Sequence, residues 1–268
     1  MKVSGKVVVV TGAGSGMGRE LSLELARRGA TVAAVDFRAD TLAETASLVT
    51  QAGGKISTHT LDVSDLAMVA ALPAAVTKAH GHVDAIINNA GIIQPFVPIA
   101  KLPWKDVEHV MAVNFFGPVA LVQAFLPLLS KRPEAHILNV SSMGAYAPVP
   151  GQTVYGASKA AVKLFTEGLR SELMETKIGV TIVFPGAIAT NIAANSGMAA
   201  MAADSDAASK FPTTPAPVAS KAMVDAIEAN KPRITIGSDA TFMDRLSRLN
   251  PVMAANVIYK QMKSLLSS

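Results

Sequence analysis

The chain of 268 residues is half hydrophobic and 16% charged, holds no cysteine, and owes its net charge of +4 to the residues after 230. That composition suits one domain over residues 1–268 with a large core, rules out disulfides, thiol nucleophiles and thiolate metal sites, and fits a cytoplasmic enzyme. No basic stripe interleaved with aromatics, no apolar run of roughly 18–20 residues and no signal-peptide layout is present, so neither a nucleic-acid partner nor a transmembrane span is expected.

The first apolar run, KVVVVTG (6–12), is continuous rather than alternating, as a strand buried on both faces should be. Six more follow: TVAAVD (31–36), STHTLDV (57–63), DAIINNAG (84–91), HILNVSS (136–142), GVTIVFPG (179–186) and RITIG (233–237). Segments of helical period separate them, beginning with GRELSLELARRGA, which Gly29 ends. Strand and helix alternating from the start predict an α/β, doubly wound parallel sheet of the Rossmann type, seven strands with helices on both faces.

TGAGSGMG (11–18) joins the first strand to the first helix. Its Gly12, Gly16 and Gly18 permit a tight turn and close approach of a pyrophosphate to the helix N-terminus. Eighteen residues beyond Gly18, at the end of the second strand, stands Asp36, placed to accept hydrogen bonds from adenosine ribose hydroxyls. Its charge would repel a 2′-phosphate, which favours NAD; Arg38, two residues on, keeps NADP as the alternative. Further along, YGASK sets Tyr155 four residues before Lys159, so on a helix the phenol and the ammonium share one face.

Residues 187–217, rich in Ala, Met and Ser, are expected to form a substrate lid or a disordered insertion. The end of the chain, about 239–268, reads as an amphipathic helical extension broken at Pro251. It is expected to cap the substrate site, or failing that to join a neighbouring subunit or to touch an anionic membrane peripherally. None of the five histidines has metal-ligand spacing with acidic partners, and His80 and His82 read as surface residues, so no catalytic metal is expected.

TGAGSGMG, Asp62-Val63, NNAG (88–91), Asn114 in NFFG, NVSS (139–142), YGASK (155–159) and PG (185–186) stand in the order seen in short-chain dehydrogenases/reductases. The chain resembles the single-domain branch of that family, of about 250 residues, over roughly residues 5–190. The resemblance implies an NAD(P)-dependent oxidoreductase acting on CH–OH groups, with Asn114, Ser142, Tyr155 and Lys159 as its catalytic set. It implies that Asp62 and Val63 hold the adenine ring. Asn89, Ala90 and Gly91 line the cofactor, as do Ser15, Met17, Phe37 and Val113, and Pro185, Gly186, Ile188 and Thr190 lie against the nicotinamide end. Tyr155 is then the acid/base, its ionisation favoured by Lys159 and the positive nicotinamide ring, and both also bind the cofactor, Lys159 by reaching the nicotinamide ribose. Ser142 holds the substrate oxygen. The family's pairing of its two long helices, here about 103–131 and 152–176, implies a homodimer or homotetramer.

Two further expectations concern this chain alone. Pro118 has no N–H for the carbonyl of Asn114, so the helix through NFFGP should be irregular at 114–118. The side chains nearest the reacting carbon are expected to be Gln94, Phe96, Ser142, Met143, Tyr146, Ile192 and Met198. That mostly apolar set favours a hydrophobic secondary alcohol or ketone. The alternatives are an NADPH-dependent ketone or 3-oxoacyl reductase and a non-catalytic NAD(P)-sensing regulator, against which the complete catalytic set argues.

Overall fold

A computed structural model describes residues 1–190, 192, 196 and 213–263. In chain order the main elements begin β1 (Val7–Thr11), α1 (Gly16–Arg27), β2 (Thr31–Asp36), α2 (Ala39–Gln51), β3 (Lys55–Thr60), α3 (Leu66–His80) and β4 (Ala85–Asn88). There follow α4 (Trp104–Met111), α5 (Gly117–Leu129), β5 (Ala135–Val140), α6 (Thr153–Glu172), β6 (Ile178–Pro185), β7 (Ile188–Ala189) and β8 (Thr214–Pro215). The last are α7 (Ala216–Glu228), β9 (Arg233–Ile236), α8 (Ser238–Leu249) and α9 (Pro251–Met262).

Seven of the strands form one parallel sheet in the order β3-β2-β1-β4-β5-β6-β9. β1 lies between β2 and β4, with Val8 opposite both Val32 and Ala85. Strand order reverses there, and in such sheets the ligand crevice opens at the carboxyl ends of these strands. The unbroken valines of β1 follow from burial on both faces. Val8 and Val10 join a core with Leu21 and Leu25 of α1, Leu42 of α2 and Met223 of α7. Val7 and Val9 join another with Leu72 of α3, Phe125 of α5 and Leu169 of α6. The strand's period of two thus feeds both helical layers.

Several boundaries differ from the sequence expectation. The third strand ends at Thr60, leaving Asp62 and Val63 in the loop beyond it. The first long helix is divided: residues Ala112–Phe116 form a π turn between α4 and α5, in which the Gly117 N–H reaches the Ala112 carbonyl. The irregularity predicted from Pro118 is therefore present. Contrary to the expectation that no apolar run is long enough, Trp104–Leu129 is a helical stretch of 26 residues with the length and hydropathy of a membrane span. Here it lies on the sheet, with Val113, Leu121, Val122, Phe125 and Leu129 buried.

Of the expected lid, the described residues include its base, where Ile188 pairs with Thr214 in β7 and β8. Met198 lies outside the described residues. The terminal extension is a helix pair split where expected: Asn250 caps α9, its Oδ1 accepting the Met253 N–H at 2.9 Å. The pair packs through Met243, Ala254 and Ile258 onto Ala147, in the loop that leaves β5.

Candidate active site

The turn after β1 is shaped by contact between backbones. Gly12 has φ +68°, and a Cβ on it would stand 3.0 Å from the Ala90 Cα. A Cβ on Gly18 would lie 1.9 Å from the Gly12 carbonyl oxygen, so only glycine lets the first turn of α1 press onto this loop. The NNAG loop is held beside it. Thr11 Oγ1 accepts the N–H groups of Asn89 and Ala90, each at 3.0 Å, and Asn89 Nδ2 donates to the Thr11 carbonyl at 2.9 Å.

Asp36 closes one end of the crevice. It is buried, with Oδ2 accepting the Gly14 N–H at 2.8 Å and Oδ1 the Arg38 N–H at 3.0 Å. The Arg38 guanidinium lies over the Phe37 ring at 5.7 Å, and its Nε is buried without a hydrogen-bond partner. Between Asp36 and Thr190 runs a cavity of about 410 Å³. Of the expected cofactor residues, Gly12, Ser15, Gly16, Met17, Phe37, Arg38, Asp62, Val63, Asn89, Ala90, Gly91 and Val113 also line it. A cradle of glycines, an acidic rim and a buried unpartnered guanidine nitrogen fit a dinucleotide. Gly18, Tyr155, Lys159, Pro185, Gly186 and Ile188 stand outside this lining. Gly186 is packed against Asp239, whose Oδ2 accepts the Ala187 N–H at 2.7 Å.

The expected catalytic side chains meet beyond Gly91. A Cβ on that glycine would stand 3.1 Å from Lys159 Nζ and 3.2 Å from Asn114 Oδ1. Helix α6 carries Tyr155 and Lys159 on one face, with the ammonium 5.9 Å from the phenol ring centre. Lys159 Nζ donates to the Val140 carbonyl at 3.1 Å. Ser142, two residues beyond β5, accepts the Gly144 N–H at 3.1 Å, and a Cβ on Gly144 would meet both its Oγ at 3.5 Å and the Tyr155 ring at 3.3 Å. Ser141, its neighbour, is buried and donates instead to the Lys159 carbonyl at 2.8 Å. Asn114, inside the π turn, accepts the Ile92 N–H and donates to the Ile92 carbonyl, both at 2.9 Å, and also donates to Ser158 Oγ at 3.0 Å.

Electrostatics depart from the sequence expectation. Burial pushes the Tyr155 phenol above its usual range, and the hydrogen bond from Ser142 offsets only part of this. Burial also brings Lys159 down to about 8. Desolvation therefore outweighs what the neighbouring side chains give the phenolate, and it acts on both partners of the pair.

Several expected substrate residues have other duties. The Tyr146 hydroxyl donates to the Ala240 carbonyl at 2.9 Å, its ring leans on Phe184, and Met143 packs with it against the terminal helix pair. Phe96 does not line the cavity, whereas Gln94 and Ile192 do. The Gln94 amide, however, is spent on backbone groups at Gly151, Val154 and Tyr155. His80 and His82, expected on the surface, are half-buried and partnered: His80 Nε2 lies 2.7 Å from Ser57 Oγ, and His82 Nε2 3.1 Å from Asp84. Sequence reading missed Ile93, Ser196, Asp106, His109 and Val110 as cavity residues. His109 was within reach, since it lies one helical turn before Val113. Ser196, which accepts the Ile93 N–H at 3.1 Å, carried no signal.

A family model for the short chain dehydrogenases matches residues 6–200. A Mycobacterium tuberculosis protein named as the oxidoreductase SadH is 37% identical over 251 residues, 91% of each chain. The dehydrogenase/reductase SDR family member 7B of Bos taurus is 36% identical over 199 residues, 72% of this chain and 61% of that one. Among solved structures, a Burkholderia phymatum short-chain dehydrogenase/reductase in complex with NAD superposes with a TM-score of 0.87 at 26% identity, covering 94% of this chain and 96% of that one. A Burkholderia cenocepacia short-chain dehydrogenase in complex with NADP gives 0.79 at 26% identity, covering 96% and 99%. Sequence and fold agree along nearly the whole chain, and this protein belongs to the short-chain dehydrogenase/reductase family of oxidoreductases.

Proposed function

We propose that the protein transfers a hydride between NAD(H) and a hydrophobic secondary alcohol or ketone, with Tyr155 as the acid/base. The observation that carries the reading is Tyr155 and Lys159 on one face of α6, with the ammonium 5.9 Å from the phenol ring centre and beside Gly91 of the dinucleotide-shaped cavity. NAD as the cofactor, with NADP as the alternative, is supported by Asp36 and by the relatives solved with either dinucleotide. When bound, the nicotinamide supplies the hydride acceptor or donor.

The remaining work falls to side chains. Ser142 Oγ, fixed by the Gly144 N–H, presents a hydroxyl to the substrate oxygen. Tyr155 gives its proton to a ketone oxygen or takes one from an alcohol. Lys159, held at the Val140 carbonyl, supplies positive charge beside the phenol. Asn114 ties the NNAG loop to α6 through Ile92 and Ser158, which keeps cavity and catalytic helix in register. The apolar cavity residues Ile92, Ile93, Pro95 and Ile192 suit a greasy substrate, and Asp106 disfavours an anionic one. Exposed Trp104, Phe116 and Leu164 on the long helices support assembly with further copies of the chain.

The test is NAD reduction with 2-octanol and NADH oxidation with 2-octanone. Tyr155→Phe should lower kcat by about 10²–10⁴-fold in both directions with little change in NADH affinity. Turnover at the wild-type rate in Tyr155→Phe would remove the phenol from the chemistry.

A further inference from the structure

Helix α6 starts at Thr153, so Val154 and Tyr155 are its second and third residues. Their N–H groups have no partner within the helix. An N-cap side chain ordinarily takes such donors, but the N-cap here, Gln152, makes no side-chain capping bond. The acceptor comes from outside the helix. Gln94 is completely buried, and its Oε1 accepts the Val154 N–H at 2.8 Å and the Tyr155 N–H at 3.0 Å. Its Nε2 donates to the Gly151 carbonyl at 2.9 Å. Gln152 answers in kind, donating its Nε2 to the Gln94 carbonyl at 2.6 Å. Two glutamines 58 residues apart thus clasp the loop after β4 to the first turn of the helix that carries Tyr155 and Lys159.

A neutral carboxamide meets these needs together: it accepts from two N–H groups, donates to one carbonyl and carries no charge. A carboxylate would satisfy the two N–H groups and favour the helix dipole. It could not donate to Gly151, and it would place an anion close to a phenol that has to ionise. A shorter or apolar side chain would leave two buried donors unpaired.

We propose that Gln94 is a positioning residue for Tyr155: its amide caps α6 from outside, fixes the phenol against Ser142, and keeps its surroundings uncharged. The proposal rests on the reading of Tyr155 as the acid/base. It adds to that reading a residue that donates no proton and acts through the backbone of its neighbour.

Ionisation of the phenol tests this without a substrate. The chain has three tyrosines, so the ultraviolet difference titration of wild type minus Tyr155→Phe, with NAD present, isolates Tyr155. Gln94→Glu keeps the capping acceptor and adds a charge. It should preserve hydrogen-exchange protection of the peptide covering 152–158 yet raise the Tyr155 midpoint by about one pH unit, a tenfold change. Gln94→Leu should instead speed exchange of the 154–155 amides and lower kcat with 2-octanol, leaving KM for NAD little changed. If Gln94→Leu fails to fold, the glutamate variant still decides. A Tyr155 midpoint unmoved in Gln94→Glu, or a wild type with no resolvable Tyr155 step, overturns the proposal. Full turnover in Tyr155→Phe would instead sink the acid/base reading, and the exchange data would still report on the clasp.

Discussion

Asp36→Asn offers a quantitative test of cofactor choice. The carboxylate is buried and both its oxygens are occupied, by Gly14 N–H at 2.8 Å and Arg38 N–H at 3.0 Å. A phosphate on the adenosine 2′-oxygen would come close to it. At about 4 Å the repulsion is about 1 kcal/mol in water and about 4 kcal/mol at the effective dielectric of a protein surface. Removing the charge should therefore tighten NADPH binding between about fivefold and a thousandfold. The amide can accept only one of the two N–H groups on its oxygen side, so the turn is weakened by about 1 kcal/mol and NADH binding falls. Calorimetric titrations of both proteins with NADH and NADPH at the same low ionic strength measure the ratio directly. The expected outcome is an NADH preference in wild type that shrinks at least about tenfold in the variant. Adding Arg38→Ala should reduce the gain, because Arg38 lines the same cavity as Asp36 with a buried Nε that has no partner. Equal affinities in wild type, or a ratio that Asp36→Asn leaves alone, would refute the reasoning.

Other expectations concern stability. His136 is buried against Thr181 Oγ1 at 2.8 Å, and burial brings its pKa down to about 3. The unfolded chain takes up this proton near pH 6.5 and the folded one does not, so stability falls as pH drops from about 6.5 towards 3, by on the order of 4–5 kcal/mol. Denaturant titrations should show that fall, and His136→Asn should flatten it relative to wild type; parallel profiles would assign the acid limb elsewhere. Tyr146→Phe removes the hydroxyl bond to the Ala240 carbonyl. It should cost about 1 kcal/mol in global stability and loosen the terminal helix pair, read as faster amide exchange in α8.

The parts of the site that were legible in the sequence are those fixed by local chemistry. Four valines in a row reveal a strand covered on both faces, and glycines at 12, 16 and 18 reveal a turn that tolerates no Cβ. Pro118 alone foretold the break at Asn114, because a missing N–H acts on the residue four places back. What escaped is set by approach between distant segments. Gln94 lines the cavity as expected, but its clasp on the start of α6 is invisible until the two segments meet, and Tyr146 reads as a substrate side chain until Ala240 arrives from 94 residues away. The phenol shows the same division. Spacing alone puts a cation one turn from Tyr155, which argues for a lowered pKa. Folding buries both groups, and the burial that brings Lys159 down to about 8 also lifts the phenol. Proximity of opposite charge and loss of water arrive together, and at this site loss of water is the larger of the two. The residues of α6 thus set the ammonium beside the phenol, while burial holds the phenol above its usual range. On the proposed reading, a cationic nicotinamide ring would supply the charge that tips Tyr155 towards phenolate, and a neutral Gln94 beside the helix start would leave that balance undisturbed.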